Sequence, residues 1–185
     1  MKKIIVFLIV LIVGVICSAC INTYAVNQLN KFAAKYSEDG NTEAAIARLE
    51  SSIDLDGGIY ETRYNLAVLY LDADKCDKAL EQVDVAQGLI EKEEPALYYI
   101  RGAANACIAK NVLEKKNNPE LDKLPNAAGQ VEQDNINKSY VEYLQKSVDA
   151  FEKYVQTASV NDRNPEIINR INGYRAEIQE YSVNL

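Results

Sequence analysis

Histidine and tryptophan are absent from this 185-residue chain, and methionine occurs once. Without histidine there is no imidazole general base, no Ser-His-Asp or Cys-His nucleophile system, and no His-containing zinc site. Glycine and proline are scarce, at eight and four, which favours long helices over a turn-rich β architecture. No glycine-rich phosphate loop occurs. Asp54, Asp56 and Gly57 in "DLDGG" hint at a calcium loop, but the alternating oxygen ligands ending in a glutamate are missing. Asp72, Asp74 and Asp77 in "DADKCD" sit at a corner between helices and lack the same ligands. No pair of carboxylates lies in an apolar stretch that would raise one pKa for acid-base work. These absences point away from an enzyme and imply no cofactor and no metal.

What is present is an acidic, foldable body behind an apolar leader. Hydrophobic residues make up 48% and charged residues 25%, enough for one domain with a sizeable core. The formal charge is −7, and losing Lys2 and Lys3 with a leader would take it to −9. Such a surface repels nucleic acid and anionic headgroups. The start, "MKKIIVFLIVLIVGVICSAC", has two lysines, an apolar run and then small residues, the order of a secretory signal.

Its cysteines resemble the lipobox of bacterial lipoproteins, where the lipidated cysteine follows a small residue. Cys20 follows Ser18 and Ala19, whereas Cys17 follows the bulky Val15 and Ile16 and stands where the family usually has leucine. The resemblance implies lipidation at Cys20 and attachment to a bacterial membrane, with several acyl chains holding the body firmly. Ile21, in place of an aspartate after that cysteine, follows the family's trend for an outer membrane. Two alternatives stay open. The stretch from Ile4 to Ile21 is just long enough to remain as an uncleaved transmembrane anchor, and ordinary cleavage would release a soluble product. All three export the body to the cell envelope or beyond.

The body repeats itself. Sliding the sequence by 34 residues lays Phe32 on Leu66, Ala33 on Ala67, Tyr36 on Tyr70, Ala45 on Ala79, Ile46 on Leu80 and Leu49 on Val83. Gly40 falls on Asp74, and both sit where a turn is expected. Small residues at Ala67 and Ala79 let two helix axes approach closely while the large neighbours interlock around them. This resembles the tetratricopeptide repeat (TPR), a helix-turn-helix unit of 34 residues, with Arg63 in the usual tryptophan place of the second repeat. A third unit is split. Its first helix carries Tyr98 in the tryptophan place and Gly102 in the small place. Its partner, "SYVEYLQKSVDAFEKYVQTA", carries Ser147, Phe151 and Tyr154.

Between them lies an insert rich in Asn, charge and proline, read as extended helix ends around an exposed loop that is either functional or disordered. Asn164 as N-cap, Pro165 at the first helical position and the stripe Ile167, Ile168, Ile171, Tyr174 and Ile178 describe a capping helix.

The expected architecture is therefore all-α: a right-handed α-solenoid of about three TPR-like helix pairs plus a C-terminal capping helix. Residues 1–19 form the targeting segment and 20–25 the lipid anchor and linker. Residues 26–159 form the repeats, with an insert loop at about 112–137, and 160–185 the capping helix and tail. The resemblance implies a protein-binding module whose first helices line a concave groove for a peptide or partner helix. Matching positions are Asn27, Asn30 and Ala34, then Glu61, Tyr64, Val68 and Leu71, then Tyr99, Ala103 and Ala106. Tyr64 and Tyr99 suit the role physically, with large contact area, few rotors and a polar tip.

The family's best known clamp grips a terminal carboxylate with lysines, asparagines and an arginine. Only Asn65 matches it, the other places holding Asn30, Ala34, Ala96 and Ile100. The rival expectation is a structural envelope component whose groove is filled by its own insert. Cys76 and Cys107 share one edge of the stack and are either a disulfide, which export would allow, or buried free thiols.

Overall fold

The computed structural model describes residues 22–117 and 125–183. The expected leader, the lipidation site Cys20 and the middle of the insert, 118–124, lie outside the described residues. Within them are seven helices and no strand: α1 (22–38), α2 (Thr42–Leu55), α3 (Tyr60–Asp72), α4 (Cys76–Gly88), α5 (Pro95–Glu114), α6 (Asn126–Thr157) and α7 (Glu166–Ser182). Each helix from α2 onward packs on the next, so the chain stacks hairpin on hairpin.

The corners show the 34-residue period as backbone chemistry. Gly40 and Asp74 both take positive φ, at 74° and 54°. At the first corner Asn41 N–H donates to Tyr36 C=O at 2.8 Å, and at the second Lys75 N–H donates to Tyr70 C=O at 2.8 Å. Each is a helix C-terminus closed by a left-handed residue, which glycine adopts freely and aspartate tolerates. Asn41 then opens α2, its Oδ1 accepting from Ala44 N–H at 3.1 Å.

Packing follows the pattern of small and large residues. Ala45, Ala67 and Ala79 are fully buried, and Leu49, Leu66, Tyr70 and Val83 close around them. Each such leucine or valine contributes about 1.5–3 kcal/mol by leaving water. Phe32 departs from the pattern. It occupies the register of the buried Leu66, yet is 51% exposed, because no helix pair among the described residues precedes the first to cover that face. Arg63, in the tryptophan place of pair two, works by hydrogen bonds instead of bulk. Its Nε donates to Gly57 C=O at 3.1 Å and its Nη1 to Gln82 Oε1 at 2.7 Å, tying the α2–α3 corner to α4.

The third pair is α5 with α6. Gly102 lies under the Phe151 ring, and Ser147 Oγ donates to Gly102 C=O at 2.8 Å. The middle of α6 packs Tyr140 and Leu144 against Ala109, Val112 and Leu113 near the end of α5. Helix covers 112–114 and 126–137 of the insert, the two ends where extended helix was expected.

The last helix, α7, buries Ile167 and Ile171 against Val148, Phe151 and Tyr154, and so covers the open end of the stack. Two details differ from expectation. Ile168 is 48% exposed, since the covering contact is narrower than the apolar stripe. The helix starts at Glu166, with Pro165 at the N-cap, although Asn164 Oδ1 still accepts from Glu166 N–H at 3.0 Å.

Candidate functional site: the concave layer of first helices

The first helices α1, α3 and α5 lie in one layer. Asn30 Nδ2 on α1 donates to the buried Thr62 Oγ1 on α3 at 2.9 Å, and α3 packs directly on α5. Three recesses open along this layer.

The first, about 320 Å³, lies between α1 and α3. Buried Ala33, Leu49 and Leu69 make its floor, and exposed Ala34, Ser37, Glu38, Asn65 and Asp72 make its rim, with Asn30 and Val68 between. The amide of Asn30 is committed to Thr62, while its Oδ1 accepts no hydrogen bond. Glu38 and Asp72 stand one repeat apart in sequence and meet at this rim.

The second, about 410 Å³, lies where α3 and α5 begin and the α6–α7 corner returns. Tyr64 and Tyr99 line it together with Glu94, Pro95, Ala96, Tyr154, Ala158, Ser159, Asp162 and Asn164. Both tyrosines are held. Tyr64 stacks on Tyr60 with ring centroids 6.0 Å apart, and Tyr99 meets Tyr154 edge-on at 5.5 Å and Phe151 at 6.0 Å. Tyr154 fixes the corner itself, donating to Asp162 C=O at 2.7 Å and accepting from Asn164 N–H at 2.9 Å. Burial first, then the charge of Glu94 and smaller effects of Tyr64 and Glu61, pushes the Tyr60 hydroxyl up to about 12. Glu94 and Asp162 place two carboxylates at this end of the layer.

The third, about 560 Å³, is walled by α5, α6 and α7. Ala103 and Ala106 face it, and so do Arg170, Tyr174 and Glu177 of the capping helix. Tyr140 of α6 hydrogen-bonds Glu177 across its wall.

The residues expected in one groove are therefore distributed. Asn30 and Val68 share the first recess, Tyr64 and Tyr99 the second, and Ala103 and Ala106 the third. Glu61 is exposed outside these three, and Leu71 packs half-buried on the core. From sequence Asp72 is weighed only as a metal ligand and Glu38 not at all, although their 34-residue spacing could have flagged both as rim residues; the walls at the α6–α7 corner lie where the insert has erased the period. Cys76 at the start of α4 is joined as a disulfide to Cys107 on α5, which also lines the third recess, with Cα atoms 5.8 Å apart. Among the described residues no group of three or more Cys, Asp or Glu side chains could hold a metal ion.

The stack and its concave layer are those of a tetratricopeptide-type solenoid. Solved structures that resemble it include two TPR domains. One is the first TPR domain of Spaghetti (RPAP3) bound to the HSP90 peptide SRMEEVD. It has a TM-score of 0.58 and 17% identity, over 84% of this chain and 94% of that one. The other is the NMR structure of the first TPR domain of human RPAP3, also at 0.58, with 16% identity over 88% and 98% of the two chains. At these identities the likeness is one of fold. No protein-family model matches the chain, and no curated protein matches it.

Proposed function

We propose that this chain is an exported, membrane-anchored TPR protein that holds a peptide or a partner helix on its concave layer and assembles that partner at the cell envelope. It does so without catalysis. The observation that carries the reading is the second recess, where two oriented tyrosines on successive first helices flank an open space of about 410 Å³. Such side chains give large contact area at small entropic cost. A solved neighbour of the same fold has a peptide bound, which supports this use. The anchor reading rests on the leader and Cys20, and a disulfide between Cys76 and Cys107 suits an oxidising compartment.

Photo-crosslinking in intact membranes, wild type against Tyr64→Ala/Tyr99→Ala, tests the groove. A groove binder loses a crosslinked band in the double variant, while unchanged crosslinking removes the reading. Intact-mass measurement of the mature N-terminus distinguishes an acylated Cys20 from an uncleaved leader.

The second reading, a structural envelope component with a self-occupied groove, is favoured at one place. Tyr174 and Arg170 of α7 stand across from Ala103 and Ala106 in the third recess, so the chain's own capping helix supplies one wall there. On that reading the double tyrosine variant loses stability and no partner.

A further inference from the structure

We propose that the peptide held on this concave layer is basic, with lysine or arginine side chains meeting Glu38 and Asp72 at the first recess and Glu94 and Asp162 at the second. The inference rests on the groove reading above and gives it a chemistry.

Two carboxylates line each of these recesses, and neither wall contains a lysine or an arginine. The polar groups on offer to a ligand's side chains are weighted toward acceptors. In the first recess the exposed Asn65 amide and Ser37 hydroxyl stand beside the two carboxylates and can accept as well as donate. In the second, Tyr64 and Tyr99 present rings to the aliphatic stems and cationic heads of long basic side chains. The whole chain carries −7, so a basic segment is also drawn in from a distance.

The third recess differs, since Lys110 and Arg170 stand beside Glu177. The acidic stretch therefore spans the first two recesses and stops at α7. The peptide SRMEEVD bound in the neighbouring structure carries three acidic side chains. A ligand of that sign would meet like charge here.

The test uses the full-length chain in nonionic detergent and an array of short peptides. Each random frame appears in three versions, carrying lysines, serines or glutamates at the same positions. Lysine versions should be retained about tenfold or more over glutamate versions, and Tyr64→Ala/Tyr99→Ala should abolish that retention. Glu38→Gln/Asp72→Asn should weaken it about five- to tenfold, the size expected for two rim ion pairs. Both residues are exposed, and an unchanged melting temperature checks that the variant folds.

Glu43→Gln/Glu81→Gln removes the same charge from exposed positions on α2 and α4 and should leave retention as it was. Tyrosine-dependent retention without a preference for lysine overturns the inference and leaves the groove reading standing. So does a loss in the α2/α4 control equal to that in the recess variant. If no peptide shows tyrosine-dependent retention, the groove reading falls and the inference with it.

Discussion

Gly102 on α5 lies so close under the Phe151 ring of α6 that a Cβ added to it would come within 2.5 Å of the ring carbon Cδ1. In an exposed helix, glycine to alanine stabilises by about 1 kcal/mol. Here the added methyl must displace a fully buried phenylalanine, and overpacking costs about 1–3 kcal/mol. Gly102→Ala should therefore lower the urea midpoint, and Gly102→Ala/Phe151→Leu should recover part of the loss. A raised midpoint in the single variant would mean that α5 and α6 do not cross at this glycine.

That contact also shows what the sequence could reveal. Gly102 and Ser147 were readable as the small positions of a split pair because they repeat the roles of Ala67 and Ala79, and close helix crossings need missing bulk wherever they occur. The two turns were readable for a similar reason: Gly40 and Asp74 stand where only left-handed backbone closes the corner. Burial at the ends of the stack was not readable. Phe32 and Leu66 share one register and differ in exposure because, among the described residues, only Leu66 has a helix pair before it. The walls of the second and third recesses were equally hidden. Tyr154, Asp162, Arg170 and Tyr174 lie beyond the insert, where no fixed offset relates them to the first helices they face.

Reduction of the Cys76–Cys107 bridge should destabilise the body without unfolding it. The two cysteines are 31 residues apart in sequence, and closing a loop of that length removes enough unfolded-state entropy for about 2–4 kcal/mol. Cys76→Ala/Cys107→Ala should show a comparable drop in urea-unfolding free energy, and reductant should then have no further effect. Equal midpoints with and without reductant in the wild type would show that the thiols are not paired in solution.

Alkaline pH should unfold the protein through its tyrosines. Burial raises the Tyr70 hydroxyl, helped by its hydrogen bond to Glu50 at 2.5 Å; burial likewise raises Tyr140, helped by Glu177. Tyr60 is pushed up to about 12. A hydroxyl whose folded pKa lies above its unfolded value of about 10 keeps its proton longer in the native state. Its stabilising contribution is complete below pH 10 and is lost as pH climbs toward the folded pKa. The urea midpoint should thus be level with respect to these groups at neutral pH and fall above about pH 10. Tyr70→Phe should flatten that fall while lowering the neutral-pH unfolding free energy by about 1 kcal/mol for the lost hydrogen bond. An alkaline limb of unchanged slope would rule Tyr70 out as a contributor.

Two adjacent isoleucines of α7 separate the covering role of that helix from its composition. Ile167 is fully buried among Val148, Phe151 and Tyr154, and Ile168 beside it is 48% exposed. Ile167→Ala opens a cavity at the end of the stack and should cost about 2–5 kcal/mol, whereas Ile168→Ala should stay within about 0.5 kcal/mol of wild type. Helix propensity cannot produce that contrast, because both substitutions exchange the same residue for alanine in the same first turn. Since α7 also supplies Arg170, Tyr174 and Glu177 to the third recess, loosening it by Ile167→Ala should make Cys107 and its neighbours on α5 more accessible to hydrogen exchange. If α5 amides exchange at wild-type rates in that variant while α7 amides exchange faster, the capping helix frays by itself and the third recess does not depend on it.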